Sequence, residues 1–349
     1  MSERVTIQDI ADALGLSRNT VSKAINNTGV LADATREKVL QKAIEMGYKQ
    51  FSYASISNMN LGASQAQPKH GGEFALFTGM FLGNSHFSST MLDKFQMEIS
   101  LLGYSMTMHR VTQENIEEMT LPITYNPERT KGILCIEIFD LNYCQMLCGL
   151  NIPILMVDGP SSAYVKKLNA DLLVMNNSSG IFELITNMKR KGIKRIGFIG
   201  QPTHCISFFE RYLAFRNAMF LNSLPILEED CLTEVHPHGM EYSSYLNEAI
   251  KNMHSLPELF ICANDFVAID TIQALKLCGY SCPEDIKICG FDDSPESKIM
   301  SPSLTTIHIH TQIMGYSAAN LLVSRINHPE LNSRIVYTET SLIYRESTK

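Results

Sequence analysis

The sequence TIQDIADALGLSRNTVSK, residues 6–23, decides the fold of the N-terminal part of this chain. Its apolar residues recur at helical spacing on both sides of Gly15, and a glycine permits the sharp turn that this pattern requires. Thr6 and Ser17 stand where each helix would begin, and we predict that their hydroxyls cap the two helices. Two short helices joined by a tight turn are a common device for placing side chains in the DNA major groove.

The predicted second helix has an apolar side and a polar side. Val21, Ala24 and Ile25 share the apolar side, whereas the polar side presents groups that hydrogen-bond to bases and phosphates. With the caps included, the residues assigned to DNA contacts are Thr6, Ser17, Arg18, Asn19, Thr20, Ser22, Lys23 and Asn26. A third helix is predicted between Asp33 and Gly47. The alternative is a small three-helix module that binds another protein.

Motifs in this stretch and further along the chain resemble those of the lactose-repressor (LacI/GalR) family. They are VTIQDIA (5–11), LSRNTVSKAIN (16–26), TREKV (35–39), GIKRIGFIG (192–200), GFDDS (290–294) and LTTI (304–307). The resemblance covers nearly the whole chain, except a stretch after Tyr48. It implies an N-terminal all-α helix-turn-helix headpiece and an α/β two-lobed core like that of periplasmic sugar-binding proteins. Such a core has parallel sheets with helices on both faces, and its chain crosses between the lobes three times.

The charge of the chain is unevenly divided. The net charge is −7, yet the first fifty residues hold seven Lys and Arg against six Asp and Glu, which leaves −8 for the remainder. Attraction to phosphates must therefore come from a local cationic face of the headpiece. A single weakly basic headpiece is expected to bind DNA poorly, and two copies on one homodimer would raise the affinity through effective concentration.

The composition excludes several classes of protein. No stretch is long and apolar enough to span a membrane, and the first residues lack the apolar segment of a signal peptide. Nine cysteines without a CxxC pair are typical of reduced thiols, so we expect a cytoplasmic protein. Nucleotide-binding and hydrolase motifs are absent, and the two His-x-His pairs lack a third ligand. We therefore expect no enzyme activity, no cofactor and no metal.

Residues 51–72 have the composition of a linker between a headpiece, residues 1–50, and a core, residues 73–349. In the core, apolar runs alternate with amphipathic helical patterns, which predicts parallel sheets covered by helices. The predicted strands are 74–77, 133–138, 154–157, 196–199, 259–262, 286–291 and 305–309. Because the core is too long for one such sheet, we predict two lobes. Their approximate bounds are 73–175 plus 306–338, and 176–305 plus 339–349.

Ligands of open parallel sheets bind beyond the carboxyl ends of the strands. The polar and aromatic residues that follow the predicted strands, and that we assign to effector binding, are His86, Phe87, Asp158, Ser207, Arg211, Asn264 and Asp292. Guanidinium, amide and carboxylate groups together suit adjacent hydroxyls of a sugar. The family resemblance implies that the positions of Arg211, Asn264 and Asp292 contact the effector.

Several of these residues have a structural alternative. Asp265 and Asp293 are better explained as helix caps than as ligand-binding groups. Phe87 alternatively belongs to the core, and Arg211 alternatively forms an ion pair between the lobes. The chain has no tryptophan, and Thr311 stands where some sugar-binding relatives carry an aromatic residue. Stacking on a sugar would then come from Phe87 or from Tyr242.

The segment after Tyr48 departs from the family pattern. Relatives usually carry a short hinge helix there, whose Leu inserts into the minor groove and kinks the DNA. Here Ser55 and Ser57 replace the expected Arg and Leu, which makes a poor helix. We favour a flexible tether over a wedge supplied by Ile56 or Met59.

These observations together predict a homodimeric transcriptional repressor that binds operator DNA. Its DNA affinity is expected to depend on a small effector, most simply a sugar, bound between the lobes. One alternative is a DNA-binding regulator that answers to a protein or phosphorylated partner. The other is a solute-binding receptor, which the absence of a signal peptide and the polar headpiece face disfavour.

Overall fold

The computed structural model of the chain describes residues 5–25, 71–79, 86–235 and 240–349, together with six residues between positions 35 and 46. Contacts divide the chain into two units, residues 1–69 and 70–349. The helices are α1 (Ile7–Leu14), α2 (Arg18–Ile25), α3 (His86–Leu101), α4 (Gln113–Glu118), α5 (Leu141–Cys148), α6 (Ser179–Arg190), α7 (Ile206–Leu221), α8 (Tyr242–Asn252), α9 (Asp265–Leu277), α10 (Pro295–Ile299) and α11 (Thr311–Asn327).

All strands of the described residues lie in the second unit. They are β1 (Gly72–Thr78), β2 (Tyr104–Arg110), β3 (Thr130–Ile136), β4 (Ile154–Val157), β5 (Asp171–Met175), β6 (Ile196–Ile199), β7 (Cys231–Leu232), β8 (Leu259–Cys262), β9 (Lys287–Cys289), β10 (Thr306–Ile309), β11 (Ile335–Thr338) and β12 (Thr340–Ile343). Short 3-10 turns occur at Ser161–Tyr164, Glu228–Asp230 and Glu346–Thr348.

The first two helices of the headpiece form as the sequence predicts. The Thr6 hydroxyl accepts a hydrogen bond from the Asp9 amide at 3.3 Å, and the Asp9 carboxylate accepts one from the Thr6 amide at 2.7 Å. Gly15 ends α1 with a φ of 65°, in the left-handed region that glycine adopts without strain. The Ser17 hydroxyl caps α2 by accepting from the Thr20 amide at 3.1 Å. Both predicted caps and the glycine turn are therefore confirmed.

A small apolar core holds the headpiece together. Its buried residues are Ile10, Ala11, Val21, Ala24, Ile25, Val39 and Ala43. The last two come from the predicted third helix, where Thr35, Lys38, Val39, Lys42 and Ala43 are helical. The predicted ends of that helix at Asp33 and Gly47 lie outside the described residues. So do residues 51–70, and the choice between tether and wedge stays a prediction.

The first lobe is built on a parallel six-stranded sheet with the order β11-β5-β4-β3-β1-β2. Alternate residues of its strands pack into different apolar clusters, as the two-residue period of a strand requires. Phe74 and Leu76 pack in a cluster that includes residues of α3 and α11, whereas Phe77 packs with residues of α5. Gly315 lets α11 approach α3 closely, because an added Cβ would lie 2.3 Å from the Met91 carbonyl oxygen.

The second lobe is built on a parallel four-stranded sheet with the order β7-β6-β8-β9. Three strands that the sequence predicts, 154–157, 196–199 and 259–262, have the observed bounds. The strand predicted at 286–291 is shorter. It ends at Cys289, because the chain soon turns through positive φ angles at Asp292 (117°) and Asp293 (60°).

Three connections join the lobes. The chain enters the second lobe after β5, returns to the first after β10, and leaves it again between β11 and β12, as the family resemblance implies. These connections are bonded to one another. The Asn176 amide donates to the Thr338 carbonyl at 2.7 Å, the Thr340 hydroxyl donates to the Asn176 carbonyl at 2.8 Å, and β10 pairs antiparallel with β12. A hydrogen-bonded cluster of this kind can act as a hinge between lobes.

Candidate functional site

The polar side of α2 is open to solvent. Arg18, Asn19 and Lys23 are exposed, whereas Thr20 and Ser22 are half-buried. Arg18 and Asn19 occupy the first two positions of the helix, where a helix-turn-helix protein contacts base edges. Arginine and asparagine are the side chains that pair with guanine and adenine in the major groove. This face can therefore read a DNA sequence.

Three of the predicted DNA-contacting residues also have a structural role. The Thr6 hydroxyl donates to the Asp9 carboxylate at 2.7 Å, in addition to capping α1. The Ser17 and Thr20 hydroxyls lie 2.8 Å apart at the start of α2. These hydroxyls first stabilise the helix ends, and any contact with phosphate is made from that position. Asn26 lies outside the described residues.

A cavity of about 750 Å³ lies between the two lobes of the core, at the carboxyl ends of their strands. Five of the predicted effector-binding residues line it: Asp158, Ser207, Arg211, Asn264 and Asp292. Thr311 lines it as well. His86 and Phe87 are the first residues of α3, and their side chains lie outside the described part of the chain. The strand-end rule therefore placed five of the seven assigned residues on the cavity wall.

Arg211 is held firmly in the cavity wall, with 3% of its surface exposed. Its Nε donates to Asn177 Oδ1 at 2.9 Å, and its Nη1 donates to the Ala263 carbonyl at 2.6 Å. The guanidinium packs on the Phe291 ring at 3.6 Å, and its Nη1 lies 3.4 Å from Asp292 Oδ1. Arg211 thus pairs within the second lobe and not across the lobes, contrary to the alternative considered for it.

Asp292 is the carboxylate that faces Arg211. Asp292 lines the cavity, and about a quarter of its side-chain surface (23%) is exposed. Burial raises the pKa of Asp292 to about 7, even though Arg211 favours the ionised form. The carboxylates of Asp265 and Asp158 raise this pKa further. The group is therefore poised to gain or lose a proton near neutral pH.

Asp158 and Ser207 line the cavity but also bond to each other. Asp158 Oδ1 accepts hydrogen bonds from the Gly159 amide at 2.8 Å and from the Ser207 amide at 3.1 Å. The Ser207 hydroxyl donates to Met175 Sδ at 3.1 Å and is buried. Burial raises the pKa of Asp158, and its hydrogen bonds oppose that shift. Asp158 of the first lobe thus caps α7 of the second lobe.

The helix-cap interpretation of Asp265 is wrong, because its neighbour is the cap. Asn264 Oδ1 accepts from the Val267 amide at 2.9 Å and begins α9. The buried carboxylate of Asp265 instead accepts from the Thr306 hydroxyl at 2.5 Å and from the Ser294 amide at 2.7 Å. Burial raises the pKa of Asp265 to about 6, against these hydrogen bonds. Asp265 therefore joins β10 to the second lobe.

The helix-cap interpretation of Asp293 is wrong as well, since Ser294 caps α10. The Asp293 carboxylate is bonded to His308 Nδ1 at 2.9 Å, to Arg345 Nη2 at 2.5 Å and to Lys298 Nζ at 3.2 Å. Burial disfavours the ionised form of Asp293, but these hydrogen bonds outweigh burial and lower its pKa to about 2. The two adjacent carboxylates therefore differ in their partners. Asp292 faces Arg211 in the cavity, whereas Asp293 is bonded to His308, Arg345 and Lys298.

The aromatic lining of the cavity was not predicted. Phe139, Phe208 and Phe266 line it, and the His204 ring lies 4.9 Å from that of Phe139 and 5.0 Å from that of Phe208. Tyr242, proposed for stacking, instead packs against an apolar cluster of the second lobe. The missed phenylalanines follow strand ends or stand beside assigned polar residues. Extending the strand-end rule to every aromatic residue would have found them.

The cavity wall carries an unusual backbone. Four of its acidic residues have positive φ angles, a conformation that costs an L-residue about 1–3 kcal/mol. They are Glu137 (58°), Asp158 (60°), Asp292 (117°) and Asp293 (60°). Glu137 also accepts a hydrogen bond from the Ser88 hydroxyl at 3.1 Å. Strained residues of this kind cluster at ligand sites, where the surrounding fold holds them.

Other kinds of site were sought in the same residues. In the described part of the chain, no three His, Cys, Asp or Glu side chains are grouped to hold a metal ion. None of the described helices has the length and apolarity needed to cross a membrane.

A helix-turn-helix with an open polar face, followed by a two-lobed core with a cavity, defines the class of DNA-binding transcriptional regulators. Comparison with known proteins agrees. Residues 6–50 match "Bacterial regulatory proteins, lacI family", and residues 185–348 match "Periplasmic binding protein-like domain". The "HTH-type transcriptional repressor PurR" of Pasteurella multocida (strain Pm70) is 27% identical, over 99% of this chain and 98% of its own. Its counterpart in Haemophilus influenzae (strain KW20/Rd) is 27% identical, with 99% and 98% covered.

Solved structures share the fold. A "transcriptional regulator CelR-cellobiose complex" has a TM-score of 0.68 at 21% identity, with 99% of this chain and 100% of the other covered. The lac repressor dimer bound to operator and the anti-inducer ONPF has a TM-score of 0.64 at 20% identity, with 99% of each chain covered. The chain belongs to the LacI family and is a DNA-binding transcriptional regulator. This family consists of transcriptional regulators and not of enzymes.

Proposed function

We propose that the cavity binds a small hydroxyl-bearing effector, most simply a sugar, and that this binding sets the affinity of the protein for operator DNA. The observation that carries the proposal is the presence of Arg211, Asn264 and Asp292 on the wall of one cavity. Guanidinium, amide and carboxylate groups can bind adjacent hydroxyls as donors and acceptors. Arg211 is already held by the protein, so a ligand would not have to order it.

The charges of the cavity favour an uncharged effector. Both permanent cations of the described lining are paired with carboxylates, Arg211 with Asp292 and Lys298 with Asp293. Glu137 and Asp158 add negative charge to the same wall. A phosphate group would therefore meet carboxylates in this lining and no cation without a carboxylate partner. Burying the phosphate charge without a cationic partner would cost free energy. We expect a free sugar to bind better than its phosphate ester.

The aromatic lining and the relatives support a ring-shaped ligand. Phe139, Phe208 and Phe266 offer apolar surface to one face of a ring. A structural relative from Enterococcus faecium is described as carrying bound ribose, with a TM-score of 0.62 at 18% identity and 79% and 98% of the chains covered. Another is the cellobiose complex of CelR. The same phenylalanines would also accommodate a planar base, so nucleosides belong in the test.

The regulation would act through a homodimer in the cytoplasm. The lac repressor relative is described as a dimer on its operator. Two headpieces on one dimer would bind two half-sites, which offsets the weak basicity of each headpiece. An effector that prefers one arrangement of the lobes shifts the population toward that arrangement. Movement at the three hydrogen-bonded connections would transmit the shift to the dimer.

A thermal-shift screen of sugars, sugar phosphates and nucleosides on the full chain tests this proposal. A ligand at 100 times its dissociation constant adds about 2.7 kcal/mol to the free energy of unfolding of the protein that binds it. We expect at least one uncharged sugar to stabilise the core. Stabilisation by sugar phosphates alone would contradict the proposed ligand class. If no compound stabilises the core and a protein binds it, control by a protein or phosphorylated partner is favoured instead.

A further inference from the structure

One carboxylate of the second lobe gathers hydrogen bonds from three separate segments of the core. Glu210 lies in α7, and its Oε2 accepts from Asn177 Nδ2 at 2.7 Å. Its Oε1 accepts from the hydroxyl of Tyr337, in β11 of the first lobe, at 2.7 Å. The same oxygen accepts from the hydroxyl of Tyr164, in the turn that follows β4. Two tyrosines of one lobe therefore meet a single carboxylate of the other.

The same cluster leads to the effector cavity. Asn177 is buried in the connection between β5 and α6, and its Oδ1 accepts from Arg211 Nε at 2.9 Å. Asn177 thus uses its amide nitrogen for Glu210 and its carbonyl oxygen for Arg211. A chain of hydrogen bonds runs from the two tyrosines through Glu210 and Asn177 to the arginine of the cavity. The tyrosine end of this chain depends on how the lobes are placed.

The first turn of α7 is also hydrogen-bonded to the first lobe. The Ile206 amide donates to the Gly159 carbonyl at 2.8 Å, and the Ser207 amide donates to Asp158 Oδ1 at 3.1 Å. The first amides of a helix have no acceptor within the helix. The acceptors of Ile206 and Ser207 belong to the first lobe, so these two amides are protected only while the lobes are closed.

We propose that Tyr164, Tyr337 and Glu210 form a clasp that holds the lobes closed, and that Glu210 is a positioning residue for Arg211. When the lobes separate, Glu210 loses two donors and the support of Arg211 through Asn177 weakens. An effector that binds Arg211 would in turn favour the clasped arrangement. This last link rests on the proposed function, whereas the clasp itself rests on the contacts within the core.

Hydrogen exchange of the full 349-residue chain without added ligand tests the clasp. In the double variant Tyr164→Phe/Tyr337→Phe, we expect the amides of Ile206 and Ser207 to exchange about tenfold faster than in the wild type, because two hydrogen bonds to a charged group are lost. The increase should be larger at these two amides than at amides in the interior of α7, because the lobes can separate without unfolding the helix. If the double variant does not fold, each single variant is expected to show a smaller increase at the same amides.

Tyr344→Phe is the matched control. Tyr344 is also a partly exposed tyrosine, and its hydroxyl accepts from Asn187 Nδ2 at 3.0 Å inside the second lobe. The Tyr344→Phe variant should leave the exchange rates of the Ile206 and Ser207 amides unchanged. Equal rates in the wild type and the double variant overturn the clasp, and so do unprotected amides in the wild type. A uniform rise along α7 with a lower unfolding midpoint would reduce the tyrosines to a stabilising role. Because no ligand is used, failure of the sugar proposal cannot produce any of these results.

Discussion

The recognition face of the headpiece and the wall of the cavity use similar polar residues in opposite ways. On α2, Arg18, Asn19 and Lys23 are exposed, and the caps beside them join residues three positions apart. In the cavity, Arg211 is 3% exposed and is held by Asn177 and Ala263, from distant parts of the chain. The headpiece therefore presents exposed side chains that can adjust to DNA. The cavity presents side chains that the protein already holds in place, and a ligand has to match their positions.

The largest effect is expected at the fixed set. Arg211→Ala should lower the affinity of the best-binding sugar of the screen by more than about 100-fold, because it removes a hydrogen-bonding group and leaves Asp292 buried without its partner. Arg216→Ala is the matched control, since Arg216 lies on the same helix and pairs with Glu228 at the surface. Titration calorimetry measures both variants. Equal affinities in the two variants would remove Arg211 from the site.

A smaller effect is expected on the open face of the headpiece. Arg18→Ala should weaken binding to a duplex selected from a random pool by about 5- to 150-fold, the discrimination of one bidentate base contact. Its affinity for random duplex should change much less. Lys23→Ala, at the other end of the exposed face, provides the comparison. Fluorescence anisotropy with both duplexes measures this, and an equal loss on both after Arg18→Ala would make Arg18 a phosphate anchor only.

The raised pKa of Asp292 predicts a pH dependence of ligand binding. With a pKa of about 7, Asp292 is largely protonated at pH 6 and ionised at pH 8. If sugar hydroxyls donate to the ionised carboxylate, affinity should rise about tenfold from pH 6 to pH 8 and then level off. Asp292→Asn should bind more weakly and remove this dependence. A pH profile that persists in the variant would assign the titration to another group.

The smallest effect concerns the local caps. Thr6→Ala should lower the stability of the helix-turn-helix by about 1 kcal/mol, because it removes one half of a reciprocal cap. Gln8→Ala on the same helix removes only a side-chain pair with Asp12 and should cost about 0.2–0.5 kcal/mol. Thermal unfolding followed by circular dichroism compares them. Equal losses would show that the capping box adds nothing at this position.

The contrast between headpiece and cavity also explains what could be predicted from the sequence. The caps at Thr6 and Ser17 and the turn at Gly15 depend on neighbours within a few residues, and local patterns predict such features well. The central strands β1, β3, β4, β6 and β8 were found from their continuous apolar runs, whereas the central strand β5 was missed although it is largely buried. The edge strands β2 and β11 were missed because several of their residues are exposed, which interrupts those runs.

In the cavity, position was predictable but bonding was not. The strand-end rule placed Asp158 and Ser207 at the site, yet no local signal shows that the carboxylate of one caps the helix of the other. Asp265 and Asp293 resembled caps because each stands near a helix start. Their actual partners, such as Thr306 and Arg345, lie far along the chain and come near only in the folded core. Contacts of this range are set by tertiary packing.

The central claim is that the cavity controls DNA binding, and a coupled measurement tests it most directly. The affinity of the wild type for its selected duplex is measured with and without the best-binding sugar, and again for Arg211→Ala/Asp292→Ala. We predict that the sugar changes the DNA affinity of the wild type by about 5- to 150-fold, a typical allosteric coupling. The double variant should bind DNA as the wild type does without sugar and should not respond to it. A double variant that responds as the wild type does would contradict the claim.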